Sequence, residues 1–281
     1  MISRNKIIIA SFLSLLAIFS YSCKKQNTSI DYNPAITASK EFAANQQMIT
    51  LILNTYFKSL NDSLLWADGH AEVDGAVVRI QDVPVYLMEI YYPVWGNNDG
   101  YGHFRMGVIE AVPETDFSQP DALVNFNFVG FLYDKDTLEV NKMTVQQVEN
   151  IEQNVQKFEV NVDSAIIIYS DTSGQNSFNM RQTFRLKKDP ASEHTSPLDK
   201  IFITGAMDGI TLDLATYSAL VADSSEIIDN YNCPWLKNGP AELQSNGFEL
   251  PAYIYFPVPD SCKNEFLIDI DGNPFPFPID Y

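Results

Sequence analysis

The sequence predicts an α+β fold, in which one long N-terminal helix precedes an antiparallel sheet. Residues 36–66 contain neither proline nor glycine, and Phe42, Met48, Ile49, Leu51, Ile52, Tyr56, Leu60 and Leu64 recur at spacings of three and four. That is the pattern of an amphipathic helix. Beyond Gly69, β-branched and aromatic residues gather in short runs of the kind that form strands. Turn-forming residues divide those runs, as at 96–100, 134–136 and 171–174.

The chain opens with Arg4 and Lys6, followed by an apolar run from Ile7 to Ser20. A membrane-spanning helix needs roughly 20 apolar residues, so this run is too short to be one. A basic start, a short apolar stretch and small residues at its end describe an export signal. It closes on Ser20-Tyr21-Ser22-Cys23, which resembles a bacterial lipobox. Residues 1–22 are therefore expected to be a lipoprotein signal peptide, with Cys23 lipidated (a palmitate-type anchor) and residues 23–35 a polar tether. The expected location is the cell envelope, with the chain lipid-anchored and facing the periplasm or the cell surface. Of three cysteines, two then remain, and Cys233 and Cys262 are expected to form a disulfide in an oxidising compartment.

Cleavage after residue 22 would remove Arg4 and Lys6 from the 18 basic residues, leaving 16 against 36 acidic ones. A formal charge near −20 argues against nucleic-acid binding, which depends on cationic contacts with phosphate. The membrane is met through the lipid rather than through the folded surface.

Along the chain, strands are expected at 76–80, 83–92, 104–112, 123–133 and 137–140. A short helix follows at 145–155, then a hairpin of 158–170 with 177–186. Residues 187–199 read as a polar loop, 200–204 as a strand, 212–228 as helical and 231–247 as turn-rich. The last strands fall at 253–256 and 265–270, before an extended Pro-Phe tail at 274–278. His70, His103 and His194 stand apart and read as surface residues. No metal spacing, phosphate-binding glycine loop or nucleophile elbow is present, and no cofactor is expected. Asp269-x-Asp271-Gly272 lacks the distal glutamate of a calcium loop and reads as a strand ending in an Asp-Gly turn.

Three segments in order resemble the FKBP-type peptidyl-prolyl isomerases. In VNFNFVGFLYDKDTLEV (124–140), Gly130, Leu132 and Asp134 match, Phe128 stands for the family's tyrosine, Leu138 for its pocket phenylalanine and Glu139 for its pocket aspartate. In FITGAMDGI (202–210), Ile203, Gly205 and Gly209 match, while Ala206 replaces the tryptophan that floors the pocket. In VPDSCKNEFLIDI (258–270), Pro259, Phe266, Ile268 and Ile270 fit. The resemblance implies an FKBP-like antiparallel half-barrel around a short helix formed by 205–210. It places residues 36–112 as a helix with leading strands and 113–281 as the FKBP-like domain, with insertions near 141–198 and 211–250.

An X-Pro bond rotates over a barrier of about 18–20 kcal/mol. Isomerases of this class lower it by holding proline in an apolar, water-poor pocket. The resemblance implies a pocket of Phe128, Leu138, Ile203 and Phe266 with Glu139 at its rim. The small Ala206 and Leu138 imply weak or lost isomerase activity, and a role in binding exported proteins or assisting their folding through proline-containing segments. The alternative is a non-enzymatic, β-rich structural or accessory lipoprotein of unrelated fold. The helix within 36–66 is a candidate for homodimer formation, or else packs on its own domain.

Overall fold

A computed structural model describes residues 31–281, except 83–85, 99–101, 118, 120, 149–153, 192–194, 259–261 and 279–281. The signal segment, Cys23, most of the tether, His194 and Pro259 lie outside the described residues. Residues 32–281 form one unit.

The long helix α1 (Asn33–Leu60) begins with Pro34 in its first turn, where a missing N–H costs nothing. A second, short helix α2 (Ser63–Asp68) is capped by the Asp62 carboxylate, which accepts from the Leu64 and Leu65 amides. Then come β1 (His70–Val73), β2 (Ala76–Gln81), β3 (Leu87–Asn98), β4 (Phe104–Pro113), β5 (Leu123–Tyr133), β6 (Asp136–Val148), β7 (Val155–Ile168) and β8 (Gln175–Lys187). They are followed by β9 (Lys200–Ile210), β10 (Thr216–Val221), β11 (Ile227–Asn230), β12 (Cys233–Asn238), β13 (Ala241–Ser245), β14 (Phe248–Tyr255), β15 (Phe266–Ile270) and β16 (Asn273–Phe277). From β1 to β10 each strand pairs with the next, and β13–β16 continue from β10. The β11–β12 hairpin stands off this path, with β11 paired to β9. Every pairing is antiparallel.

This corrects the expected FKBP-like half-barrel around a short helix. Gly205–Ile210 is the second half of β9, hydrogen-bonded to β8 on one side and β10 on the other. The expected boundary near 112 falls inside β4, and β4 pairs with β5, so the sheet runs through it unbroken. Residues 145–148, expected in a helix, extend β6, and 212–228 supplies β10 and the start of β11. The turn-rich 231–247 holds β12 and all of β13, and the Pro-Phe tail is β16. In β16, Pro274 and Pro276 carry no N–H. An edge strand lacking those donors is a poor template for another strand.

The decisive feature is the fate of α1. Every residue from Asn45 to Phe57 is buried, which is more than three consecutive turns. A helix resting on a sheet would expose one face; this one is enclosed. Strands from widely separated places in the sheet reach it. Tyr56 meets Phe126 of β5 at 5.0 Å between ring centroids, and Phe57 meets Phe158 of β7 at 4.5 Å. Elsewhere on the helix, Gln47 donates to the Pro234 carbonyl and accepts from the Leu236 amide at 3.0 Å, completing the backbone bonding of β12. The sheet therefore curls around α1, whose surface from 45 to 57 is occupied within the chain.

Enclosure obliges the polar face of α1 to find partners, because an unpaired buried polar group costs about 1–3 kcal/mol. Gln46 exchanges two amide hydrogen bonds with Gln182 of β8, at 3.0 and 2.7 Å. Asn54 donates to Asp229 of β11 at 2.9 Å. Arg105 of β4 is 1% exposed; it donates to Tyr92 Oη at 3.0 Å and to Thr55 Oγ1 at 3.3 Å. Lys58, just past the sealed turns, pairs with Asp74 at 2.7 Å.

Cys233 at the start of β12 and Cys262 before β15 form a disulfide, as parity predicted, with Cα atoms 5.7 Å apart. It ties the off-path hairpin to the β14–β15 connection.

Candidate ligand-binding cleft

Between the first turns of α1 and the ends of β5, β6 and β7 lies a cleft of about 210 Å³. The helix contributes Thr37, Lys40, Glu41, Ala44, Asn45 and Met48; the sheet contributes Tyr133, Asp136, Leu138, Ile167 and Tyr169. Local sequence fixes this arrangement. Asp134 and Lys135 both adopt positive φ, at 50° and 81°, and make the tight turn from β5 to β6. Pairing of Tyr133 with Asp136 across that turn brings both to the cleft. Leu138 then points inward and pairs with Ile167 of β7.

Glu41 is the cleft's distinctive group. It is 8% exposed, and its Oε1 accepts from the Leu212 amide at 2.9 Å. Its Oε2 makes no hydrogen bond among the described residues. Burial pushes its pKa up to about 7 and the charge of Asp213 adds to the rise, while the Leu212 and Asn176 amides oppose it. Asn45, one turn on and fully buried, donates to Tyr217 Oη at 3.4 Å, and its Oδ1 has no partner. Tyr169 Oη accepts from Asn176 at 2.7 Å, and its pKa is raised, first by burial and then by the charge of Glu41. Lys40 is not among the groups that act on the Glu41 carboxyl; its Nζ lies 5.2 Å from the centre of the Phe277 ring.

The cleft thus combines apolar walls from Met48, Leu138 and Ile167 with buried acceptors at Glu41 and Asn45. Such a site can hold and orient a small molecule. Among the described residues no three His, Cys, Asp or Glu side chains converge to hold a metal ion.

Of the five pocket residues implied by the FKBP resemblance, only Leu138 lines this cleft. Phe128 is half-buried on β5, with its ring 5.7 Å from that of Phe131. Glu139 is exposed on the opposite face from Leu138. Ile203 is buried on β9 between Phe184 and Ile227, and Phe266 is buried on β15 against Phe256 and Phe277. Ala206, at the place of the pocket-floor tryptophan, is exposed on β9.

The reading of His103 as a surface residue is corrected. It is 5% exposed, lies 2.7 Å from Asp134 and stacks on Tyr133 at 5.2 Å. His70 is exposed, as expected. Glu41, Asn45 and Tyr169 were missed. The polar side chains of Glu41 and Asn45 stand in a helix that also carries Asn33, Lys40, Asn54 and Lys58, so nothing local in the sequence singled them out.

Compared with protein-family models, with curated proteins and with solved structures, the chain matches none.

Proposed function

We propose that this is an exported protein held to an envelope membrane by a lipid on Cys23, whose folded domain is a non-enzymatic binding module. The reading of the domain rests on the cleft beside α1, where Glu41 Oε2 and Asn45 Oδ1 stand buried among apolar walls and make no hydrogen bond of ordinary geometry among the described residues. Unpaired buried polar groups are costly, and a ligand that supplies donors relieves the cost. Export is supported by the N-terminal signal pattern and by the Cys233–Cys262 disulfide, which belongs to oxidising compartments. Enclosing a helix in a continuous sheet yields a rigid scaffold, and sites on rigid elements hold their geometry well.

Mass spectrometry of the full-length protein under non-denaturing conditions tests the binding function. A small-molecule adduct of constant mass is expected, and Ala44→Phe, which fills the cleft from the helix side, should abolish it. Adduct-free protein in repeated preparations, or an adduct retained by Ala44→Phe, would count against the cleft. For the anchor, Cys23→Ser should move the protein from the membrane fraction to the soluble one. A variant that stays membrane-bound would exclude lipidation at that residue.

A further inference from the structure

We infer that the ligand of the cleft is a small organic ammonium, a primary or secondary amine on an apolar body, held by Glu41 and Asn45. This rests on the reading of the cleft as a binding site and names the chemical class it takes.

The inference comes from what the cleft offers and what it lacks. Glu41 is more than nine-tenths buried and Asn45 wholly so; both line the cleft, and among the described residues Glu41 Oε2 and Asn45 Oδ1 make no hydrogen bond of ordinary geometry, the nearby Asn176 side-chain amide acting on the Glu41 carboxylate only at longer range. Asp136 adds a second carboxylate at the wall, its Oδ1 accepting from the Ser170 amide at 2.8 Å. Among the described residues the one cation in the lining is Lys40, and it lies over the Phe277 ring. An anion would meet two carboxylates and unpaired acceptors. A neutral alcohol could satisfy one acceptor but not the charge. A quaternary ammonium has charge but no N–H. A protonated amine supplies two or three N–H donors and a charge together, and charge-assisted bonds are the stronger ones. The rings of Tyr133 and Tyr169 favour a cation at the same place. Met48, Leu138 and Ile167 are left to cover the apolar body. The cleft is smaller than the roughly 300–1,000 Å³ of sites for drug-sized ligands, so that body is small.

A pH dependence follows. The groups that face Glu41 or share the cleft are Lys40 on α1, Tyr133 on β5, Asp136 on β6, Tyr169 after β7, Asp213 after β9 and Tyr217 on β10. All but Lys40 are acidic or neutral, and Lys40 lies over the Phe277 ring and is not among the groups that act on the Glu41 carboxyl, so nothing in this set holds Glu41 ionised. Binding of an ammonium therefore requires Glu41 to lose its proton, and affinity should fall as pH drops from 8 to 6.

Calorimetric titration of the purified full-length protein with benzylamine, benzyl alcohol and benzyltrimethylammonium tests the class. Benzylamine should bind at least roughly tenfold more tightly than the other two, and Glu41→Gln should weaken benzylamine alone by about that factor. Glu41→Gln is nearly isosteric and keeps the acceptor for Leu212. Asn45→Leu is the second variant, and thermal unfolding of both establishes that they fold. Equal binding of benzylamine and benzyl alcohol would overturn the amine class while leaving a binding cleft. Magnesium or calcium that competes with benzylamine and depends on Glu41 would overturn it in favour of a metal ion. Failure of all the probes with folded protein, together with adduct-free protein in the mass spectra, would remove the binding reading as well.

Discussion

Gln46 on the enclosed helix and Gln182 on β8 bond to each other through both halves of their side-chain amides, at 3.0 and 2.7 Å. The pair lies 136 residues apart in sequence and fixes the rotation of α1 against the middle of the sheet. Each residue satisfies the other where no water reaches. Gln46→Leu or Gln182→Leu alone should cost about 1–3 kcal/mol, because each strands the remaining amide. The double variant should cost less than the sum of the two. Urea unfolding of the two single variants and the double variant measures the coupling, and strict additivity would deny the pair.

Asp229 carries a pH signature. It is fully buried, and burial pushes its pKa up to about 7, with Asp74 adding to the rise and Asn54, Lys58 and Lys237 opposing it. The folded state thus keeps a proton that the unfolded chain releases above about pH 4. Stability from this group is present below pH 4 and is lost as pH rises towards 7, at about 1.4 kcal/mol per pH unit. Glu41 acts in the same direction. Asp229→Asn retains an acceptor for Asn54, so it should flatten the urea midpoint between pH 4 and 7 and raise it at pH 8. Superimposable pH profiles for the two proteins would contradict the assignment.

Two adjacent positions on β9 should respond in opposite ways. Gly205 has φ of +118°, and a Cβ there would come within 2.4 Å of the Arg181 carbonyl oxygen. It sits where the partner of β9 changes from β11 to β10. Gly205→Ala should cost about 2 kcal/mol or more through strain and overlap. Ala206 is exposed, so Ala206→Trp should fall within about 0.5 kcal/mol of the parent. Thermal unfolding reads both. A large loss at 206 would mean that its side chain faces the interior, as the FKBP resemblance implied.

Reducing the Cys233–Cys262 bond should also register. It closes a segment of 29 residues, and the chain-entropy model gives a loop of that size about 3–4 kcal/mol. The double variant Cys233→Ser, Cys262→Ser should unfold at lower urea by a corresponding amount. An unchanged midpoint would show that the bond does not form in solution.

The parts of the fold that were legible are those set by short-range chemistry. The long helix announced itself by the absence of Pro and Gly from 36–66, and the hairpin turns at 134–135 and 271–272 by their Asp, Lys and Gly residues. The disulfide followed from parity. What misled was tertiary context. Spacing on α1 marked one apolar face, and nothing local marks a polar face that is buried too. Its partners Gln182, Asp229 and Leu236 lie 136 to 189 residues away. Residues 212–228 read as helical because Leu and Ala favour helices, yet alternation in Thr216–Val221 places Tyr217, Ala219 and Val221 inward, and sheet pairing overrides the propensity. The FKBP match at 202–210 aligned glycines that serve here to let strands approach closely. Glu41 and Leu138 meet only because the sheet curls back to the start of the helix.

The most direct test of the binding function is an NMR titration of isotope-labelled full-length protein with benzylamine at pH 8. Amide shifts are expected at Glu41, Asn45, Leu138 and Tyr169, with little change at Phe128, Ile203 and Phe266. Shifts centred on those last three residues would place the site elsewhere on the sheet, and no shift at saturating benzylamine would mean that the cleft beside Glu41 is not where the protein takes this ligand.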